Sequence, residues 1–225
     1  MLRTILSSGG TLTEKLLYIL ISVFCVLLSL TLHELGHGLA AYAMGDKTAK
    51  YSGRLSLNPL HHLEPIGAIC LFLFGFGWAK PVPVNPYNFK NQKSGMVLTS
   101  LAGPFTNFII AFIADVIMTV IGTITFTGHS IGFDIATVCY TLCYYMMIMN
   151  LGLGIFNLIP VPPLDGSKVL GAVLPTNLYF SYMKYEQFGF IILIILINLP
   201  FFNSFLNLCM NGLVTLFDGI IGLVL

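Results

Sequence analysis

Four stretches of this chain are too long and too apolar to be left in water, and too little polar chain remains to bury them. They run from about Leu16 to Met44 (A), Ser94 to Ile121 (B), Ile135 to Pro160 (C) and Glu186 to Leu225 (the tail). About 20 apolar residues cross a hydrocarbon core of roughly 30 Å, and inside that core a helix satisfies every backbone N–H and C=O within its own length. Composition points the same way: 56% of the 225 residues are hydrophobic, 8% are charged and the mean hydropathy is +0.90, whereas an ordinary soluble domain is roughly one-quarter charged. The predicted fold is an all-α polytopic membrane protein with about five transmembrane helices, the tail holding two shorter spans separated near Pro200. Residues 1–225 read as a single membrane-embedded domain, with no internal repeat and no soluble second domain. The first apolar run is too long for a cleavable signal and shows no small-residue cleavage site, so that span is expected to stay.

Composition also excludes partners. A net charge of +1, with no basic patch interleaved with aromatics, argues against nucleic acid. Cys25, Cys70, Cys139, Cys143 and Cys209 are odd in number and mostly inside apolar runs, where they read as small hydrophobes rather than a disulfide framework.

Between A and B, the polar stretch 45–93 contains one apolar run, Ile66 to Trp78, too short to span as a helix. It reads as re-entrant or extended, and its flanks, 51–58 and 79–86, read as extended. Six of the ten Lys and Arg residues lie between A and B (Lys47, Lys50, Arg54, Lys80, Lys90, Lys93), two lie between C and the tail (Lys168, Lys184), and residues 122–134 have none. The positive-inside bias makes the first two of these loops cytoplasmic, outvoting Arg3 and Lys15 at the N-terminus. At about 1.5 Å per residue, His33 then sits roughly 25 Å along A, toward the cytoplasmic leaflet.

His33, Glu34 and His37 lie inside "SLTLHELGHGLAAYAM", residues 29–44. Histidines four apart project from one helix face and can share a tetrahedral zinc. In the HExxH arrangement the intervening glutamate moves the proton of the attacking water. An ionisable residue inside a span costs about 2.5 to 3.5 kcal/mol, so three within five positions call for a metal or a cavity. Two histidines leave the zinc one protein ligand short. The candidates are Glu64, Asp115, Asp165, and His61 or His62. Asp165 is preferred: it follows C, where Pro160, Pro162 and Pro163 break the helix, and it shares the depth of the histidines, whereas Asp115 lies toward the outer leaflet.

Four motifs in order, HELGH, "GWAKPVPVNPYNF", "SLAGPFTN" and "FNLIPVPPLDGSKVL", resemble the site-2 protease family of intramembrane zinc metalloproteases, in particular its short prokaryotic-type group without a PDZ domain. The resemblance covers a catalytic core of about 16–175, leaving a helical tail of about 186–225. It implies one zinc per chain on His33, His37 and Asp165, Glu34 as general base, and Asn157 as a candidate donor to the oxyanion. "LNPLHHLEPIG" is similar to the family's segment after the first motif, with His62 at its usual histidine and a candidate substrate contact. His61 and Glu64 depart from that pattern.

Other residues have plainer readings. Pro104 and Asn107 are expected to kink B and satisfy freed backbone groups, with substrate contact by Asn107 as the alternative. Cys139 and Cys143 read as packing residues, Asp218 as facing the bundle interior, and His129 and Asp134 as solvated in the outer loop. The expected function is a zinc metalloendopeptidase cutting transmembrane segments of other proteins, in a prokaryotic cell membrane, near its cytoplasmic side. A divalent-metal transporter and a catalytically inactive binder of transmembrane segments are the alternatives.

Overall fold

A capping box opens the first long helix: the Thr11 hydroxyl accepts from the Glu14 N–H at 3.3 Å, and Glu14 Oε2 accepts from the Thr11 N–H at 2.7 Å. Two otherwise orphaned backbone N–H donors at the helix N-terminus are thereby satisfied. The computed structural model describes residues 9–74, 78–125, 128, 131–175, 178, 182, 184 and 186–223. In chain order its helices are α1 (Leu12–Ala43), α2 (Thr48–Tyr51), α3 (Pro59–His62), α4 (Pro65–Phe74), α5 (Gln92–Gly122), α6 (Ile131–Asn157), α7 (Asp165–Val173), α8 (Glu186–Asn198) and α9 (Pro200–Ile221), with a 3₁₀ turn at Pro86–Asn88. Among the described residues there is no strand.

Four of these helices, α1, α5, α6 and α9, are long and apolar enough to cross a membrane. The all-α polytopic architecture stands, with four helices of spanning length among the described residues. The tail divides where Pro200 requires, at the first position of α9, the place a helix tolerates a residue without an N–H. The 13 residues of α8 extend only about 20 Å, short of a crossing. The run beginning at Ile66 is helical as α4, which corrects the extended alternative; ten residues reach about 15 Å, and residues 75–77 lie outside the described set. Asp134 is in the first turn of α6 rather than in a loop, where a carboxylate suits the positive end of the helix dipole. His129 lies outside the described residues.

Helix α5 organises the bundle by packing against α6, α1 and α7. Its exposed stripe, Phe105, Ile109, Ile113 and Ile117, recurs every four residues, and its buried stripe holds Thr99, Gly103, Asn107, Ala111 and Ala114. That distribution inverts the pattern of a protein in water: apolar side chains face outward and polar ones inward, as a hydrocarbon surround demands. Pro104 sits inside α5 without ending it. At Gly36 of α1, a Cβ would stand 3.0 Å from the Ala102 carbonyl and overlap the Thr106 side chain, so glycine is what lets α1 and α5 approach. Away from the polar centre the core is apolar, with Ile21, Cys25, Ala111, Ala114, Met146, Met147, Leu151 and Phe217 in one cluster. The five cysteines are free.

The loops at the α1 C-terminus are knitted by polar contacts. Asp46 is fully buried and accepts from the N–H of Thr48 (3.0 Å), the N–H of Asn85 (2.7 Å) and Asn88 Nδ2 (2.8 Å). Burial alone would raise its pKa, but the hydrogen bonds from Asn88, Thr48 and Asn85 outweigh it and hold the carboxyl below its ordinary value. Arg54 Nη2 donates to the carbonyls of Lys80 (2.7 Å) and Pro81 (3.2 Å), and the Lys80 N–H donates to the His62 carbonyl (2.9 Å). Residues 78–85, without regular secondary structure, are thus tied to Arg54 and to α3.

Candidate metal centre

The i, i+4 spacing on α1 brings His33 and His37 together, with their Nε2 atoms 3.0 Å apart. Asp165, at the first position of α7, reaches them from the far end of the chain: Oδ2 is 3.2 Å from His33 Nε2 and 3.0 Å from His37 Nε2. The chain gets there because the proline-rich turn after α6 breaks the helix and leaves Leu164 extended before α7 begins. Lys168, one turn along α7, places Nζ 3.2 Å from Asp165 Oδ1, so the second carboxylate oxygen is engaged away from the histidines. Among the described residues, these three side chains form the one group able to hold a metal ion, with ligand atoms all within 4.8 Å of one another.

The surroundings fit a cation. His37 Nδ1 is 2.7 Å from the Thr99 carbonyl and His33 Nδ1 is 2.6 Å from Asn107 Oδ1. A backbone carbonyl only accepts, so His37 Nδ1 carries the proton and Nε2 presents a lone pair. Lone pairs of nitrogen and carboxylate oxygen about 3 Å apart repel unless positive charge lies between them, and a nitrogen, nitrogen, oxygen set suits zinc. The space in front of them is kept open by Gly103: a Cβ there would overlap His37 Nε2 and lie 2.7 Å from His33 Cε1. Both imidazoles are anchored through the nitrogen that faces away from the site, an arrangement that orients metal-binding histidines. The carbonyl used by His37 comes from the turn before Pro104, which has no N–H for the Ser100 carbonyl and whose ring crowds that turn.

Glu34 is buried, and its Oε2 accepts the N–H of Val82 at 2.8 Å. Of the remaining candidates, Asn107 touches the histidine pair and the others lie elsewhere. Asn157, at the end of α6, donates Nδ2 to the Leu153 carbonyl at 3.0 Å, within its own helix. Asn107 is fully buried, and its amide joins side chains, His33 and Asn150 (2.7 Å), rather than backbone groups. His62 is buried with Nε2 donating to the Ser56 carbonyl at 2.8 Å. Glu64 Oε2 accepts the Gly67 N–H at 2.6 Å, His61 is exposed, and Asp115 is buried on α5; none of these joins the histidine pair. Sequence reasoning missed Lys168, Val82, Thr99 and Gly103. Only Lys168 left a local signal, its i+3 spacing from Asp165; Thr99 acts through a carbonyl that any residue could supply and Val82 through an N–H that any residue but proline could supply.

A helical membrane bundle with an HExxH pair and a distant carboxylate converging on one buried point defines a membrane-embedded metallopeptidase. The chain matches the profile of peptidase family M50 over residues 21–199. It is 39% identical to YwhC of Bacillus subtilis over 182 residues, 79% of this chain and 80% of that one. It is 27% identical to Rip2 of Mycolicibacterium smegmatis over 184 residues (79% and 66% of the two chains) and 31% identical to zinc metalloprotease MJ0392 of Methanocaldococcus jannaschii over 156 residues (69% and 34%). The chain therefore belongs to peptidase family M50, the site-2 protease family. It spans about a third of the length of MJ0392. No solved structure matches it significantly.

Proposed function

We propose that this intramembrane zinc protease holds its metal on His33, His37 and Asp165, and that it cuts transmembrane segments of other membrane proteins near the cytoplasmic leaflet of a prokaryotic cell membrane. The observation that carries the reading is the convergence of the two Nε2 atoms and Asp165 Oδ2 on a space that a single methyl on Gly103 would fill. Zinc held there would act as a Lewis acid, lowering the pKa of water from 15.7 to about 7 and polarising the scissile carbonyl. Glu34 takes the proton of the attacking water and returns it to the leaving amine. The Val82 hydrogen bond fixes this carboxylate by Oε2, and the other oxygen, Oε1, is assigned to the proton. Lys168 engages Asp165 Oδ1 and so keeps Oδ2 for the metal.

A transmembrane helix hides its amides in the i to i−4 ladder, so a stretch of substrate must unwind before attack. Residues 78–85, beside Glu34, are the edge against which an unwound stretch would lie. An apolar groove of about 460 Å³, lined in part by Ala40, Met44, Leu98, Leu101 and Phe105, begins one turn past His37 and suits apolar side chains. Asn157 is the candidate oxyanion donor, which requires its amide to leave Leu153. His62 and Asn107 bear on the substrate through what they position: His62 through the Lys80 N–H on its carbonyl, Asn107 through His33. We assign residues 1–225 to one membrane-embedded domain, with the catalytic core at about 16–175. A transporter reading gains nothing from membership of a peptidase family. The test is co-reconstitution with single-span substrates: a shorter product with the native chain and none with Glu34→Gln supports the protease mechanism, and equal cleavage by both removes Glu34 from it.

A further inference from the structure

We infer that Asn150, two turns before the end of α6, is a positioning residue for the metal centre, acting through Asn107 to fix which nitrogen of His33 faces the metal. The inference rests on the reading of His33 as a ligand. Ser29, Asn107 and Asn150 are fully buried on α1, α5 and α6. Asn150 Nδ2 is 2.8 Å from the Met146 carbonyl and 2.8 Å from Ser29 Oγ, Asn107 Nδ2 is 2.7 Å from Asn150 Oδ1, and Asn107 Oδ1 is 2.6 Å from His33 Nδ1.

The two ends of a carboxamide have nearly the same shape, so an asparagine's orientation is decided by its partners. Here one partner has no choice. The Met146 carbonyl only accepts, so Asn150 must turn its NH₂ toward it and its oxygen toward Asn107. Asn107 must then offer its NH₂ to Asn150 and its oxygen to His33. An oxygen on Nδ1 demands a proton on Nδ1, which leaves the lone pair on Nε2, the atom 3.2 Å from Asp165 Oδ2. Ser29 does not set this direction, because a hydroxyl can donate or accept. His37 reaches the same tautomer in one step, from the Thr99 carbonyl; His33 needs two amides to carry the polarity of a backbone carbonyl across the bundle. Turning either amide would set like groups against each other at fully buried positions, which is costly because neither group would keep its partner.

The test is zinc affinity of the purified full-length chain, measured by competition with a chromophoric chelator. Asn150→Asp, as the carboxylic acid, keeps one donor for Met146 and one acceptor for Asn107, so it should bind zinc within about threefold of native. Asn150→Leu fills the volume but ends the relay, and should bind roughly 10- to 100-fold more weakly, the usual cost of losing a partner behind a metal-binding histidine. Asn150→Ala serves the same comparison if leucine is not accommodated. In an Asn107→Leu background the Asn150 change should cost nothing further, because its only route to the metal is gone. Native-like binding by Asn150→Leu, equal weakening by Asn150→Asp, or full additivity in the double variant would overturn the inference. A native chain that holds no zinc would instead sink the assignment of His33, and this inference with it.

Discussion

The N–H of Val82 donates to Oε2 of Glu34 at 2.8 Å, joining residues 48 apart in sequence. A backbone group from the connection between two spans is thereby built into the position of the proposed base. Pro81 and Pro83 flank Val82, so neither neighbour could supply a substitute N–H. Val82→Pro removes the donor. A hydrogen bond to a charged group is worth about 1.5 to 3 kcal/mol, so turnover should fall roughly 10- to 100-fold with zinc content unchanged. Unaltered turnover in a reconstituted cleavage assay would mean that the loop does not orient Glu34.

Glu34→Gln should retain zinc and still capture substrate while product formation drops 10²- to 10⁴-fold, the usual worth of general-base assistance. Elemental analysis and co-purification of an epitope-tagged substrate read the first two quantities, and gel mobility of the product reads the third. Loss of zinc from this variant would reassign Glu34 as a ligand.

Gly103→Ala places a methyl against His37 Nε2 and His33 Cε1. Zinc occupancy should fall to a small fraction of one per chain, although the change is only a methyl group. Gly152→Ala on α6, where an added Cβ meets nothing within 4 Å, is the matched control. Equal occupancy in the two variants would contradict the placement of the metal.

Stability should carry the signature of His62. Burial, with Arg54 adding to it, holds the His62 imidazole below its ordinary pKa, and the pull of the Ser56 carbonyl toward the charged form is weaker. The released chain therefore binds a proton that the folded one does not as pH drops below about 6.5. The stabilisation is complete above that pH and is lost as pH falls toward the lowered folded value. Asp46 contributes no slope there: its pKa is lowered in the fold, and its stabilisation is lost only below the ordinary carboxylate value of about 3.9. Thermal unfolding in detergent should show a decline from pH 6.5 downward that His62→Gln flattens. An unchanged slope in that variant would place the titration elsewhere.

Topology is open to a chemical test. In a background lacking the five cysteines, Thr125→Cys, between α5 and α6, should react with an impermeant maleimide on intact cells, and Ser52→Cys should be protected until the cells are opened. The opposite pattern would turn the molecule over and put the metal centre near the outer face.

The local half of the site was legible because its information is local. His33, Glu34 and His37 share one turn of helix, and helical spacing alone puts the histidines on one face. Asp165 could be approached through depth, since a proline-broken helix end at the level of the histidines is a natural place for a polar side chain. The partners behind them were not legible. Val82 and Thr99 contribute backbone atoms, which leave no trace in residue type, and the link from Asn107 through Asn150 exists only once α5 and α6 are packed. In the fold, hydropathy found the long helices to within a few residues. It did not fix how many times the tail crosses, because residues 186–225 are apolar almost throughout. Nor did it tell helix from extended chain in the run at 66–74, where length and hydropathy suit either.

The carboxylate proposed to complete the metal centre stands 128 residues after His37, at the start of the short helix α7. Spacing along the chain is also sequence in time. While the protein is being made, α1 is in the membrane long before Asp165 has left the ribosome, and a half-made chain holds the histidine pair and the glutamate without their third partner. A metal that needs a carboxylate 128 residues beyond the second of its histidines cannot be fully held until the chain between them has been made, so the order of synthesis is also the order in which the centre is assembled.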